Sequence, residues 1–266
     1  SMINDSDEIR DWWRTSIIDM SPGKISFRGS PIENLIGNIS FPQMIWKMVR
    51  GGAPTEAQAA LFEAALVAGV DHGPQAPSIA AARMAATCGV GINNAMATGI
   101  NMLGNVHGGA GEQCAELYYD IASRINNGAS FDLALSGGLS NWENKNGKII
   151  SGFGHRFHKP IDPRAPRLME LVRNASEENV ISGQFYDIAE AIQLYLSSKK
   201  EIPMNIDGAT AVIFCELGFP APLARGLFCL SRSVGILAHS WEQIEQGGRN
   251  KGPMPIKYLP TYDAKE

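Results

Sequence analysis

T-E-A-Q-A-A-L-F-E-A-A-L-V-A-G, residues 55–69, is the stretch that sets the fold class. Thr55 and Gln58 stand at capping-box spacing, in which each side chain takes up a backbone N–H left orphaned at a helix start. Behind them Leu61, Phe62, Ala65 and Leu66 fall on one stripe at the helical period. Working outward toward the C-terminus, the same period predicts helices over Ser78–Thr87, Glu112–Ile125, Pro166–Asn174, Gln184–Ser198, Gly208–Leu217 and Ala221–Gln246. The second of the chain's helical stretches is crowded with Ala80, Ala81, Ala82, Ala85 and Ala86, small enough to let a neighbouring helix come close. Toward the N-terminus the period changes. Thr15–Ile18 and Lys24–Phe27 flank a Ser21-Pro22-Gly23 turn, the pattern of a β-hairpin. The fold class read from this is all-α with a small N-terminal hairpin.

The chain has 266 residues, 44% apolar and 19% charged, enough for one large domain or a main domain carrying a smaller one. Its net charge of −4 provides no global field toward nucleic acid or an anionic membrane, so neither is expected as a partner. An anionic ligand must instead be held by a few placed Arg or Lys side chains. Cys88, Cys114, Cys215 and Cys229 lie far apart without a CxxC pair, and read as free thiols of a reducing compartment. No unbroken run of eighteen apolar residues occurs, and the acidic start (Asp5, Asp7, Glu8) lacks a leader pattern; a cytoplasmic protein with no membrane span is expected.

Glycine clusters interrupt the helical pattern at Val70–Pro77, Gly104–Gly111, Ser136–Gly138 and Ser151–Asp162, and all but the third set a histidine beside a glycine. In V-D-H-G-P (70–74), His72 is either a helix-end residue bonded to a carbonyl or a ligand-binding group. In N-V-H-G-G-A-G-E (105–112), His107 precedes a helix N-terminus, where a neutral imidazole could meet a developing enolate oxygen; a glycine-rich turn with an incidental histidine is the alternative. G-F-G-H-R-F-H-K-P-I-D-P-R-A-P-R (152–167) packs His155, Arg156, His158, Lys159, Arg164 and Arg167 into a Gly/Pro-framed loop. That is either a solvated basic loop, a carboxylate or phosphate cradle, or a metal site using His155 and His158. In N-I-D-G (205–208), Asp207 is a helix N-cap or a general base. In S-R-S-V-G (231–235), Arg232 sits inside an apolar helix and must face an internal carboxylate or a bound anion.

In this order, the G-F-G-H-R-x-x-K-x-x-D-P-R-A stretch, H-G-G-A, N-I-D, S-R-S-V-G and the N-terminal K-I-S-F-R-G-S-P-I-E-N-L resemble the citrate synthase family over nearly the whole chain. The chain is shorter than full-length members, which carry extra helices where residues 55–70 run straight into V-D-H-G-P. D-H-G-P and the ending S-R-S-V-G-I-L-A-H…Y-L-P look closer to citryl-CoA lyases and the lyase module of ATP-citrate lyase, whereas His107 resembles the synthases.

The resemblance implies a two-domain helical fold, a large domain of residues 1–107 and 207–266 with a small one of 108–206 inserted, closing over acyl-CoA and a keto-dicarboxylate. It implies a homodimer or higher oligomer with a partner-chain arginine at the site; in the tail, G-G-R-N-K-G, Arg249 is a poor match for it. It implies Asp207 as the base on the acetyl-CoA methyl, His107 as donor to the thioester oxygen and His155 as donor to the keto oxygen. His72, Arg164 and Arg232 would bind carboxylates. Gly152, Phe153, Gly154 and Lys159 would hold coenzyme A, and no metal is required. The activity implied is reversible cleavage of (3S)-citryl-CoA to acetyl-CoA and oxaloacetate, the alternative being citrate or 2-methylcitrate-type synthesis. A non-catalytic module that senses CoA esters or dicarboxylates, and a metal hydrolase, are the rivals.

Overall fold

The computed structural model describes residues 5–155 and 157–265; Arg156 of the basic loop lies outside them. The chain forms two compact units, Ser1–Ala60 and Leu61–Glu266.

The first unit opens with α1 (Asp5–Asp11) and a three-stranded antiparallel sheet of β1 (Ile18–Ser21), β2 (Lys24–Phe27) and β3 (Ser30–Pro31). The hairpin is present, but its first strand is Ile18–Ser21 and not Thr15–Ile18. Ser21 pairs directly with Lys24, leaving only Pro22 and Gly23 in the turn, with Gly23 at φ 78°. Proline fixes φ at the first turn position and glycine accepts positive φ at the second, so the ladder runs right up to the bend. Two further helices follow, α2 (Ile32–Leu35) and α3 (Phe41–Arg50), the latter opened by a Ser40–Gln43 capping box. At α4 (Glu56–Ala68) the expected Thr55–Gln58 box is made, with bonds of 2.9 and 3.1 Å.

The second unit is helical: α5 (Pro77–Ala86), α6 (Ile92–Asn101), α7 (Ala110–Asn126), α8 (Phe131–Asn146), α9 (Arg164–Glu177), α10 (Gln184–Ser197), α11 (Ile206–Glu216) and α12 (Ala221–Gln246). At its centre α11 is buried on nearly every side, from Gly208 through Cys215, and packs against α7, α9 and α10. A helix apolar all round has no solvent face to offer, and its place is the core. The long α12 lies against α5, α6 and α7. Among the described residues it alone has the length and mean hydropathy to cross a bilayer. Its packing and its buried Arg232 are those of a core helix.

The glycines at 136–138 do not interrupt a helix; they lie inside α8. A Cβ on Gly138 would run into Ile121 of α7, and one on Gly137 would come within 2.6 Å of Arg124 Nη1. Bare backbone there lets α7 and α8 close up, and packing overrides the weak helix propensity of glycine. Helix α9 likewise begins at Arg164, not Pro166, because proline is tolerated in a first helical turn.

Candidate functional site

The segment that carries Asp207 begins with Asn205, whose side-chain oxygen accepts the backbone N–H groups of Asp207 (2.9 Å) and Gly208 (3.2 Å). Asn205, not Asp207, is therefore the N-cap of α11. The Asp207 carboxylate is relieved of capping and makes no hydrogen bond among the described residues. Loss of hydration raises its pKa above the ordinary 3.8, while Arg164 and Arg232 pull it back. A carboxylate that is half-buried and unengaged has the properties of a base waiting for a proton.

The strip 152–155 is bound to the same helix start. Asn205 N–H donates to Gly152 O (2.9 Å), Gly154 N–H to Pro203 O (2.7 Å), and Asn205 Nδ2 to Gly154 O (2.7 Å). Gly152 and Gly208 pass backbone to backbone: a Cβ on Gly152 (φ 97°) would lie 2.6 Å from Cys114 Sγ and 2.9 Å from Gly208 Cα. Further along, buried Asp162 accepts the Ile206 N–H (3.0 Å) and holds Arg164 through Nε and Nη2 (2.9 Å each). Burial alone would raise the Asp162 pKa, but these bonds bring it below the carboxylate norm. Arg164 is thus a fixed cation with one edge of its guanidinium left over.

His155 Nδ1 accepts two backbone N–H groups, from Phe157 (3.0 Å) and His158 (3.1 Å). In the neutral ring the hydrogen must then be on Nε2, so His155 is a pre-set Nε2–H donor. Burial, His158 and Arg164 hold its pKa below 6.5, against a contrary pull from Asp162. The His72 ring centroid lies 5.3 Å from that of His155, and its Nε2 is 2.7 Å from His158 Nε2. His72 therefore meets other imidazoles and not a helix-end carbonyl, and burial followed by Arg164 depresses its pKa. The nitrogens of His72, His155 and His158 lie within 4.8 Å of one another, a spacing a divalent ion could tighten. The donor set does not fit one: a ligating histidine points its other nitrogen's hydrogen at an acceptor, whereas His155 Nδ1 is itself an acceptor.

On the other side, Ser78 N–H in the first turn of α5 donates to His107 Nε2 (3.2 Å), and Ser78 Oγ lies 2.9 Å away. His107 therefore carries its hydrogen on Nδ1. Burial and Arg232 depress its pKa below 6.5, and the positive end of α5 acts in the same direction. Arg232 is buried, donates Nε–H to Gly69 O (2.9 Å) and stacks over Phe228 at 5.0 Å. Its charge acts on His72, His107 and Asp207 alike.

The predicted coenzyme A residues divide. Gly152 O and both backbone groups of Gly154 are already bonded within the protein, Lys159 is exposed, and the Phe153 side chain is 6% exposed, bridged to Met204 within the core. A cavity of about 430 Å³ opens between α9 and α10, lined by Ile161, Arg173, Tyr186 and Glu190; none of the predicted site residues lines it. Ser78, Asn205 and Asp162, which set the other groups, were not singled out by sequence. Asp162 and Asn205 had a signal, since they open the D-P-R and N-I-D motifs; Ser78 had none.

Residues 43–254 match the family model described as citrate synthase, C-terminal domain. Citrate synthase from Saccharolobus solfataricus is 29% identical over 214 residues, 79% of this chain and 54% of that protein, so the chain spans about half the length of this relative. The solved citryl-CoA lyase from Hydrogenobacter thermophilus superimposes with a TM-score of 0.82 at 30% identity, over 96% of this chain and 95% of that one. ATP citrate lyase from Methanothrix soehngenii shares the fold at a TM-score of 0.79 and 20% identity, over 98% of this chain and 45% of its own. The helical fold with its small N-terminal sheet and the ordered motifs have one origin: the chain belongs to the citrate synthase family.

Proposed function

We propose that this chain is a citryl-CoA lyase-like enzyme, cleaving (3S)-citryl-CoA reversibly to acetyl-CoA and oxaloacetate. One observation supports the chemistry above the rest. Two imidazoles with assigned hydrogens, Nδ1–H on His107 and Nε2–H on His155, accompany a carboxylate, Asp207, that no hydrogen bond among the described residues occupies. A mere binder of CoA esters has no use for a base among such donors.

In the cleavage direction the citryl hydroxyl gives up its proton to solvent, and His155 Nε2–H holds the resulting alkoxide oxygen, which becomes the keto group. As the carbon–carbon bond breaks, the electron pair moves to the acetyl thioester as an enolate. His107 Nδ1–H stabilises the enolate oxygen; a donor of this kind is worth roughly 3 kcal/mol. Asp207, arriving protonated, returns its proton to the methylene carbon. Condensation runs the same steps backward. Arg164, Arg232 and His72 bind the carboxylates, and exposed Lys159 meets the coenzyme A portion. We extend the reading to a large domain of residues 1–107 and 207–266, with 108–206 closing over the ligands, and to a homodimer in a reducing cytoplasm. The buried free thiols Cys114 and Cys215 support the last of these.

The lyase direction is supported by the likeness to citryl-CoA lyase, at a TM-score of 0.82 and 30% identity. Citrate or 2-methylcitrate synthesis is the second reading, favoured by the donor geometry of His107 and by relatives named citrate synthase. Offering citryl-CoA, and separately acetyl-CoA with oxaloacetate, distinguishes them. Acetyl-CoA and oxaloacetate without free coenzyme A are expected from citryl-CoA. Free coenzyme A with citrate would make the chain a synthase, and inertness to both would overturn both.

Cleavage is expected to persist below pH 6.5. Protonating His107 would press a second hydrogen against Ser78 N–H, and burial with Arg232 defers that event below the ordinary value. A kcat/KM profile should show its acid limb under 6.5; a limb at or above that value would contradict the assigned state of His107.

A further inference from the structure

The turn that presents His72 is held by a chain of side chains outside the site. Asp71 takes the backbone N–H groups of Gly73 and His72 on its carboxylate, and His239 Nε2 lies 3.0 Å from its Oδ2. On the far face of the ring, His239 Nδ1 is 2.7 Å from Arg83 Nη1. A guanidinium can only donate. Nδ1 is therefore the acceptor, and the ring hydrogen is on Nε2, aimed at Asp71. Arg83 is itself fixed by Glu242 (2.9 Å) and Gln246 (2.9 Å). His239 and Arg83 are well covered, with side chains 15% and 13% exposed.

Helix α12 grips the same turn at two more points. Arg232 donates to Gly69 O, and Gly235 meets Val70 so closely that a Cβ there would run into the Val70 carbonyl. Positions 232, 235 and 239 share one helix face. Arg83 belongs to α5, whose first turn also supplies Ser78 to His107.

We infer that His239, oriented by Arg83, is a positioning residue for His72, fixing through Asp71 the turn that delivers the substrate-binding imidazole. With both ring nitrogens engaged, His239 cannot rotate, and the His72 backbone is tied to the helix that holds Arg232. The consequence for keto-dicarboxylate binding rests on the proposed function; the orientation of His72 does not.

His239→Gln retains one acceptor (Oε1) for Arg83 and one donor (Nε2) for Asp71, whereas His239→Leu retains neither. Long-range ¹H–¹⁵N spectra of the histidine side chains should show His239 as the Nε2–H tautomer. The His72 ring signals should move in His239→Leu and return in His239→Gln. In turnover, His239→Leu should raise KM for oxaloacetate about tenfold, with kcat and KM for acetyl-CoA within about twofold, and His239→Gln should recover. A His239 Nδ1–H tautomer, or His72 signals unmoved in a folded His239→Leu protein, would overturn the inference. Should the parent protein turn over no CoA ester, the proposed function falls, and the spectra still decide the role of His239.

Discussion

Asp207→Asn is expected to reduce turnover by about 10²–10⁴-fold while raising the thermal midpoint of the ligand-free protein. The first effect follows from the loss of the proton acceptor and donor. The second follows from the raised pKa. A carboxyl whose folded-state pKa exceeds its unfolded value binds protons more tightly when folded, so ionisation costs stability as pH rises through the folded value. Above the folded pKa that cost is present in full, and a neutral amide of the same shape removes it. The backbone N–H of residue 207 still reaches Asn205 in the variant, so α11 keeps its cap. Paired melting curves at pH 7 and at pH 3 check the sign: the gain should be large at the first and shrink at the second. Retained turnover would refute Asp207 as the base, and an unchanged midpoint would show that its carboxylate is not strained in the folded protein.

Gly152→Ala should be strongly damaging for a single added methyl. Positive φ at Gly152 disfavours any side chain, and the new Cβ would meet Cys114 Sγ and Gly208 Cα inside normal contact. The backbone of α11 cannot step aside, because α7, α9 and α10 surround it. Together these effects should cost roughly 3 kcal/mol or more. They also separate the strip bearing His155 from the helix bearing Asp207. Urea titration with citryl-CoA cleavage in parallel would test this: both stability and kcat should fall, and a variant losing only stability would uncouple the strip from catalysis.

Much of the fold was written in periodicity. Ala221–Gln246 was predicted with the bounds α12 has, and the Thr55–Gln58 cap is made as the spacing implies. The helices that escaped notice are instructive. Helix α6 carries Asn93, Asn94 and Gly99, poor helix formers, and it is stabilised by close packing: a Cβ on Gly99 would stand 3.0 Å from both Ser78 O and Ile236 Cγ2. Such approaches involve residues far apart in the chain, which local pattern cannot register. The site follows the same rule. Residue types named the six principal groups, but the position of each hydrogen depends on partners elsewhere in the fold. Ser78, for instance, sets the tautomer of His107 from 29 residues away. That Asn205 and not Asp207 caps α11 is a finer point of the same kind, decided by two residues of register.

The bonds from Asn205 to Gly152 and Gly154, and from Ile206 to Asp162, weld the glycine strip, the anchored Arg164 and the start of α11 into a single piece. On the proposed function, the segment that closes over a coenzyme A ester therefore carries the start of α11 with it, and Asp207, His155 and Arg164 travel as a unit whose internal spacing survives each cycle.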